Sequence, residues 1–245
     1  MLPYDRQQQI LKILEESGHV NVHKLAQAIH VSEPTLRRDL TQMEKLGLIR
    51  RTYGGAVLPD QNQEIPITLR KEDNTSAKRK IAMQAAPLIR KGSVVFIDCS
   101  STVQNLIDFL SEHQEITVIT NSVSACHRLM ELQIKTYCVG GLLDSNDDAL
   151  RGKYAEAFLR SVQIDQAFFS CSSLSLDGYL GGHNERAVSF LQTLIQQSAQ
   201  RIFMCTHNKL GRSCMHTLCT LRDIDVMVCD QPLPPELAEM IGKNR

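Results

Sequence analysis

The chain has 245 residues, 42% hydrophobic and 5% aromatic with no tryptophan, so it can bury one or two mainly aliphatic cores. Lys plus Arg and Asp plus Glu each number 27, so the net charge is zero and any attraction to nucleic acid has to come from a local patch. The opening Met-Leu-Pro-Tyr-Asp-Arg has no apolar signal core, and no run of about 18 apolar residues follows, so a soluble, cytoplasmic chain is expected. The eight cysteines show no C-x-x-C spacing and mostly sit in apolar runs, as reduced core thiols would. Neither Cys126-His127 nor Cys205-x-His207 has a metal-site spacing, and no metal is expected.

In chain order, Ile10, Leu11, Ile13 and Leu14 predict a first helix over about Asp5–Glu16, with Gly18 as its stop. Asn21 suits the N-cap of a second helix carrying Val22, Leu25, Ala26 and Ile29, and His30-Val31 supplies a turn. Ser32 then caps a third helix, Glu33–Leu46, with Pro34 in the first turn, where a missing N–H is no loss. Leu36, Leu40 and Met43 form one apolar stripe at i, i+4 and i+7. At about 100° per residue the other side carries Arg38, Thr41, Gln42 and Lys45, flanked by Thr35 and Arg37. A helix that packs on two others and turns its far face into a major groove needs this distribution. Arg37 has a second reading, as the i+4 partner of Glu33 on the helix surface.

Gly47 is expected to end the third helix. Leu48-Ile49 and Ala56-Val57-Leu58 are expected to pair as short strands, with Arg50, Arg51 and Tyr53 on the resulting wing and Gly54-Gly55 at its tip. Basic residues outnumber acidic ones by only eight to six over residues 1–57, so position rather than charge total points to DNA. The expected DNA contacts are Ser32, Thr35, Arg37, Arg38, Gln42, Lys45, Arg50, Arg51, Tyr53 and Gly54.

The organisation read from the sequence is a helix-turn-helix domain over 1–57, a linker over 58–75, polar with two prolines, and an α/β domain over 76–245. Predicted strands are Val94–Asp98, Thr117–Thr120, Lys135–Val139, Gln166–Ser170, Ile202–Cys205 and Val226–Cys229. Amphipathic stretches over 77–90, 101–112, 122–131, 153–161 and 184–199 alternate with them, which predicts a mainly parallel sheet. The loop Asp98-Cys-Ser-Ser-Thr102 between strand and helix suits an anionic oxygen cluster, while on a second reading Ser100 and Ser101 only cap the helix. Thr120-Asn121 and Gly140-Gly141 follow two further strands, where open α/β sheets bind ligands. His183 has two readings, an ordinary loop histidine or an effector contact.

Val31-Ser-Glu-Pro-Thr-Leu-Arg-Arg-Asp-Leu40, followed at the right offset by Gly47-Leu-Ile-Arg-Arg-Thr-Tyr-Gly-Gly-Ala56, resembles the signature of DeoR-type bacterial regulators, and the resemblance runs over nearly the whole chain. It implies an N-terminal winged helix-turn-helix and a C-terminal sensor domain resembling ribose-5-phosphate isomerase, which takes phosphorylated sugars or related metabolites. It further implies a homodimeric or homotetrameric repressor of a carbohydrate-metabolism operon, with double-stranded operator DNA and a small-molecule effector as partners, no cofactor and no membrane. Carried onto this sequence, the effector contacts are Asp98, Ser100, Ser101, Thr102, Thr120, Asn121, Gly140, Gly141, Arg151, Gly152, Asn184 and Lys209, with Gly178 near the family's glycine turn. Ser100 replaces the family's glycine, and Thr206, Ala187, Leu191 and Gln192 depart from its polar pattern, which implies an effector other than the commonest one, or weak binding. The competing reading is an isomerase-like enzyme with an appended domain. Asp98 and Lys209 are the groups it would use, but no acid/base pair stands out, so no enzyme is expected.

Overall fold

Amphipathic spacing becomes three helices at the start of the chain: α1 (Pro3–Ser17), α2 (Val22–Ala28) and α3 (Glu33–Lys45). Ile10 and Leu14 of α1, Leu25 of α2 and Leu36, Leu40 and Met43 of α3 are fully or almost fully buried in one cluster. The caps are made as the residue types require: Asn21 Oδ1 accepts the His23 N–H at 2.8 Å and Ser32 Oγ accepts that of Thr35 at 3.4 Å. His30 makes the turn with a left-handed φ of 54°. Arg6 donates twice to Asp39, at 2.7 and 3.0 Å, and so ties α1 to α3.

A computed structural model describes residues 3–17, 19–46, 48–52, 54–57, 67–112 and 115–242, and the chain divides into two units, Met1–Leu69 and Arg70–Arg245. Gly18, Gly47, Tyr53 and residues 58–66 lie outside the described residues, as do the side chains of Lys45 and Arg50.

The wing differs from the expected pairing. Its strands are β1 (His19–Asn21), β2 (Arg50–Thr52) and β3 (Gly55–Val57), antiparallel in the order β1-β3-β2. Leu48 and Ile49 are buried in the helical core instead of pairing, since two adjacent apolar residues gain more there than on a solvated strand. Gly54, at φ +85°, makes the turn, whereas Gly55 pairs with both Thr52 and Asn21. A Cβ on Gly55 would stand 2.1 Å from the Val20 carbonyl oxygen, so close approach of β1 explains this glycine.

The second half of the expected linker is helical: α4 (Ile67–Glu72) precedes α5 (Thr75–Ala85), which runs into a 3-10 turn at Ala86–Leu88. Both prolines of the stretch stand upstream of α4 in sequence, so neither interrupts it. Then β4 (Val94–Ile97), a 3-10 helix (Val103–Glu112), β5 (Thr117–Thr120), α6 (Val123–Glu131) and β6 (Lys135–Cys138) follow. The hairpin β7 (Leu142–Asp144) and β8 (Ala149–Arg151) leads through α7 (Lys153–Arg160) to β9 (Ile164–Phe169). Next come β10 (Ser173–Leu174), β11 (Tyr179–Gly182), α8 (Glu185–Gln197), β12 (Ser198–Cys205), β13 (His216–Thr220), β14 (Val226–Cys229) and α9 (Pro235–Ala238).

The main sheet has the order β14-β12-β9-β4-β5-β6, and every pairing in it is parallel. All six predicted strands are in it. Phe96, Ile119, Phe169 and Phe203 face the cluster that includes α7 and α8, while Val95, Ile97, Val118, Phe168, Ile202 and Met204 face that of α5, α6 and the 3-10 helix. Burial on both faces makes these strands read as continuous apolar runs. From β4 the chain moves one way to β5 and β6, and from β9 the other way to β12 and β14. The order reverses between β4 and β9, and the C-terminal ends of strands at such a reversal are where open α/β sheets take ligands. No helix among the described residues is long and apolar enough to cross a membrane.

Candidate nucleic-acid interface and effector site

Helix α3 separates its two faces as its spacing requires. Leu36, Leu40 and Met43 are buried, and Arg37, Arg38 and Gln42 are exposed with Thr41 half-buried between them. Arg38 and Gln42 make no hydrogen bond or ion pair among the described residues, so their donors are free for a ligand. Arg37 reaches Glu33 at 3.4 Å, in keeping with its second reading. The same Glu33 accepts from His23 Nδ1 at 2.9 Å, and His23 and Arg37 hold its carboxyl below the usual range. Ser32 and Thr35 share a hydroxyl hydrogen bond of 2.8 Å at the start of the helix. Arg51 of β2 donates from Nη1 to Thr41 Oγ1 at 3.1 Å, and its N–H goes to Glu44 at 3.0 Å, so the wing is fastened to α3. Gly54 is exposed at the turn. Asp39, between the basic residues and Leu40 in sequence, serves the fold through Arg6.

The second site is built on the loops after β4, β9 and β12. The loop after β4 is held from behind. Asn121 Oδ1 accepts the Cys99 N–H at 2.9 Å, Asp98 accepts that of Ser100 at 3.2 Å, and Gln104 donates to the Cys99 carbonyl at 2.8 Å. Thr120 accepts the Ser122 N–H at 3.1 Å. Asp98, Thr120 and Asn121 are thus buried and engaged in shaping the loop. Ser100 Oγ and Thr102 Oγ1 are buried without a hydrogen-bond partner among the described residues, at a cost of about 1–3 kcal/mol each unless something binds them. Ser100 therefore makes no cap, and Ser101 beside it is buried. Across the reversal point Lys209 reaches back to Ser170 Oγ at 3.1 Å and to the Cys171 carbonyl at 2.7 Å.

Cations and carboxylates are interleaved around Lys78 and Arg151. Burial, with Lys209 and Arg70 nearby, lowers the Lys78 pKa to about 8 against the opposing pull of Asp73, and its ammonium donates to the carbonyls of Arg70 and Asp73. Arg70 pairs with the buried Asp147, which also takes Arg151 at 2.6 Å; Arg151 in turn reaches Asp144 at 2.9 Å and Cys99 Sγ at 3.7 Å. Sequence reasoning missed Arg70, Asp147 and Ser170. Arg70 stood in the presumed linker and Asp147 in an unassigned loop, while the strand end at Ser170 was the one available signal.

The remaining expected contacts divide. Gly140 and Gly141 turn at φ +71° and +107°, and a Cβ on Gly141 would meet the Arg151 carbonyl at 2.6 Å, so that turn is packed on β8. Gly152 precedes α7 at φ +91°. Asn184 is the N-cap of α8, accepting from Arg186 and Ala187, with its amide 3.5 Å from Asp144. Leu191 lies in the core and Gln192 donates to the Thr217 carbonyl at 3.2 Å, so those two departures serve packing. Thr206 donates to Asn208 at 2.6 Å. His183 stands 3.3 Å from Cys214 Sγ with Nδ1 buried and unpartnered, and burial holds its pKa down. Among the described residues no group of three His, Cys, Asp or Glu side chains is placed to hold a metal ion.

Comparison with known proteins places both units. Residues 6–62 match the DeoR-like helix-turn-helix domain, and residues 73–231 match the DeoR C-terminal sensor domain. The glycerol-3-phosphate regulon repressor of Escherichia coli (strain K12) is 28% identical, over 95% of this chain and 92% of that protein. The "Uncharacterized HTH-type transcriptional regulator YulB" of Bacillus subtilis (strain 168) is 30% identical, over 96% and 92%. Among solved structures, ribose 5-phosphate isomerase A from Methanocaldococcus jannaschii superposes with a TM-score of 0.43 at 17% identity, covering 56% of this chain and 55% of that one, too loose a likeness to speak for activity.

Proposed function

The chain belongs to the DeoR family, and from that membership we propose that it is a repressor of a carbohydrate-related operon that binds double-stranded operator DNA and is released by a phosphorylated sugar. The observation that carries the DNA reading is the α3 face on which Arg38 and Gln42 are exposed and unengaged, opposite the buried stripe. Arg38 is placed to read a base edge and Gln42 a base or the backbone, with Arg51 and Gly54 of the wing at the sugar-phosphate. Ser32, Thr35 and Arg37 border that face.

The effector lies in the β4/β9 crevice. Its phosphate satisfies the orphan Ser100 and Thr102 hydroxyls, with Ser101 beside them and Lys209 supplying positive charge. Asp98, Thr120 and Asn121 hold the loop in shape. Gly140, Gly141, Gly152 and Asn184 form the neighbouring turns, and Arg151 acts through its carboxylate partners. The active form is a homodimer or homotetramer, which presents two recognition helices to half-sites about one helical turn apart; effector binding shifts the population away from that geometry.

A gel-shift assay with the DNA upstream of the chain's own gene tests the whole reading. Sequence-specific retardation that a sugar phosphate relieves is expected. Retardation that persists with every sugar phosphate removes the effector half, and absence of specific retardation removes the DNA half.

A further inference from the structure

Two thiols meet at the edge of the parallel sheet. Cys126 stands one turn into α6, its N–H bonded to the Ser122 carbonyl at 3.1 Å. Cys138 ends β6, in register with Thr120, the last residue of β5. Because α6 is the connection between β5 and β6, topology brings both residues to the same end of the sheet, where each thiol influences the ionisation of the other. Both are free cysteines; Cys138 is exposed on an edge strand and Cys126 is half-buried.

Their chemistry separates them from five of the other cysteines. Burial pushes the thiols of Cys99, Cys171, Cys205, Cys219 and Cys229 up, which leaves them protonated and inert. The neighbouring Cys126 thiol, with help from the Gly140 and Val139 N–H groups, brings Cys138 down to about 6, while Cys126 itself is raised. An exposed thiol of lowered pKa on an edge strand, with a second thiol at the same end of the sheet, is the arrangement of an attacking and a resolving cysteine.

We propose that Cys126 and Cys138 are a site of oxidative modification, closing to a reversible intramolecular disulfide when a hydroperoxide is present. The Cys138 thiolate attacks one peroxide oxygen, the O–O bond breaks, and hydroxide leaves, so sulfur is oxidised to sulfenic acid and the peroxide is reduced. The Cys126 sulfur then attacks the sulfenic sulfur. Its proton and the sulfenic hydroxyl depart as water, and the S–S bond forms. The new bond ties the first turn of α6 to the residue before Val139-Gly140-Gly141. The step needs neither DNA nor effector, so it stands apart from the function proposed above.

The test is treatment of the full chain with one equivalent of hydrogen peroxide, alkylation under denaturing conditions, and mass mapping of a non-reduced digest. The Cys126–Cys138 crosslink is expected to form roughly tenfold faster than any other cysteine is oxidised, and dithiothreitol should return both thiols. In C126S, Cys138 should stop at sulfenic acid, which a 1,3-dione traps. Cys138 recovered as free thiol, over-oxidised in the parent chain, or joined to any other cysteine, a second chain's Cys138 included, overturns the proposal.

Discussion

At the scale of single residues the side chains sort by whether their polar atoms are already engaged. Arg38 has no side-chain partner among the described residues, so Arg38→Ala should cost roughly 1–3 kcal/mol of operator affinity and relax specificity at one position, measured by titrating operator variants. Arg51 is oriented by Thr41, so Arg51→Ala should weaken binding to all sequences alike and lower the salt slope by about one. Thr102→Val removes a buried hydroxyl that has no partner among the described residues. The unliganded protein should become more stable by about 1 kcal/mol, while the thermal shift given by a sugar phosphate should vanish. A lower melting temperature without ligand would show that the hydroxyl is already satisfied. Lys78 gives a pH test. Its folded pKa is depressed to about 8, below the unfolded value of 10.5, so the unfolded chain binds more protons between them. Stability should therefore rise with pH across that window, and Lys78→Met should flatten the rise in urea midpoints.

At the scale of elements, the third helix was legible because its burial pattern is local: an apolar stripe at i, i+4 and i+7 and a serine cap need no knowledge of the rest of the chain. The six parallel strands were legible because burial on both faces leaves apolar runs. The wing was misread because β1, His19–Asn21, is only three residues long, too short for its alternation to register, and pairs with a strand more than thirty residues away. Gly55 is therefore a test of the observed pairing. Gly55→Val forces a Cβ onto the Val20 carbonyl and should cost about 3 kcal/mol, the upper end for overpacking, and should abolish operator binding; an unperturbed unfolding midpoint would refute the β1–β3 register. The hairpin of β7 and β8 escaped for a similar reason, since short half-exposed strands carry little hydrophobic signal.

At the scale of the whole molecule, regulation requires that effector and operator be coupled, and coupling is reciprocal. A sugar phosphate that lowers operator affinity by some factor should itself bind more weakly by that factor when operator is present, measurable by calorimetry with and without DNA. Equal effector affinity in both states would leave the crevice a binding site without regulatory effect.

The sequence by itself determined the helix-turn-helix and the parallel α/β character of the second unit, because each depends on neighbours a few residues apart. Only the tertiary structure decided which polar groups remain available. Asp98, Thr120 and Asn121 are spent on the loop, and Arg151 on Asp144 and Asp147. Ser100 and Thr102 have no partner among the described residues, and the loops carrying Ser170 and Lys209 follow strands on the other side of a reversal of strand order between β4 and β9. Hydrogen-bond satisfaction is a property of the folded neighbourhood, and residues seventy or more apart in the chain enter it together only once the sheet has formed.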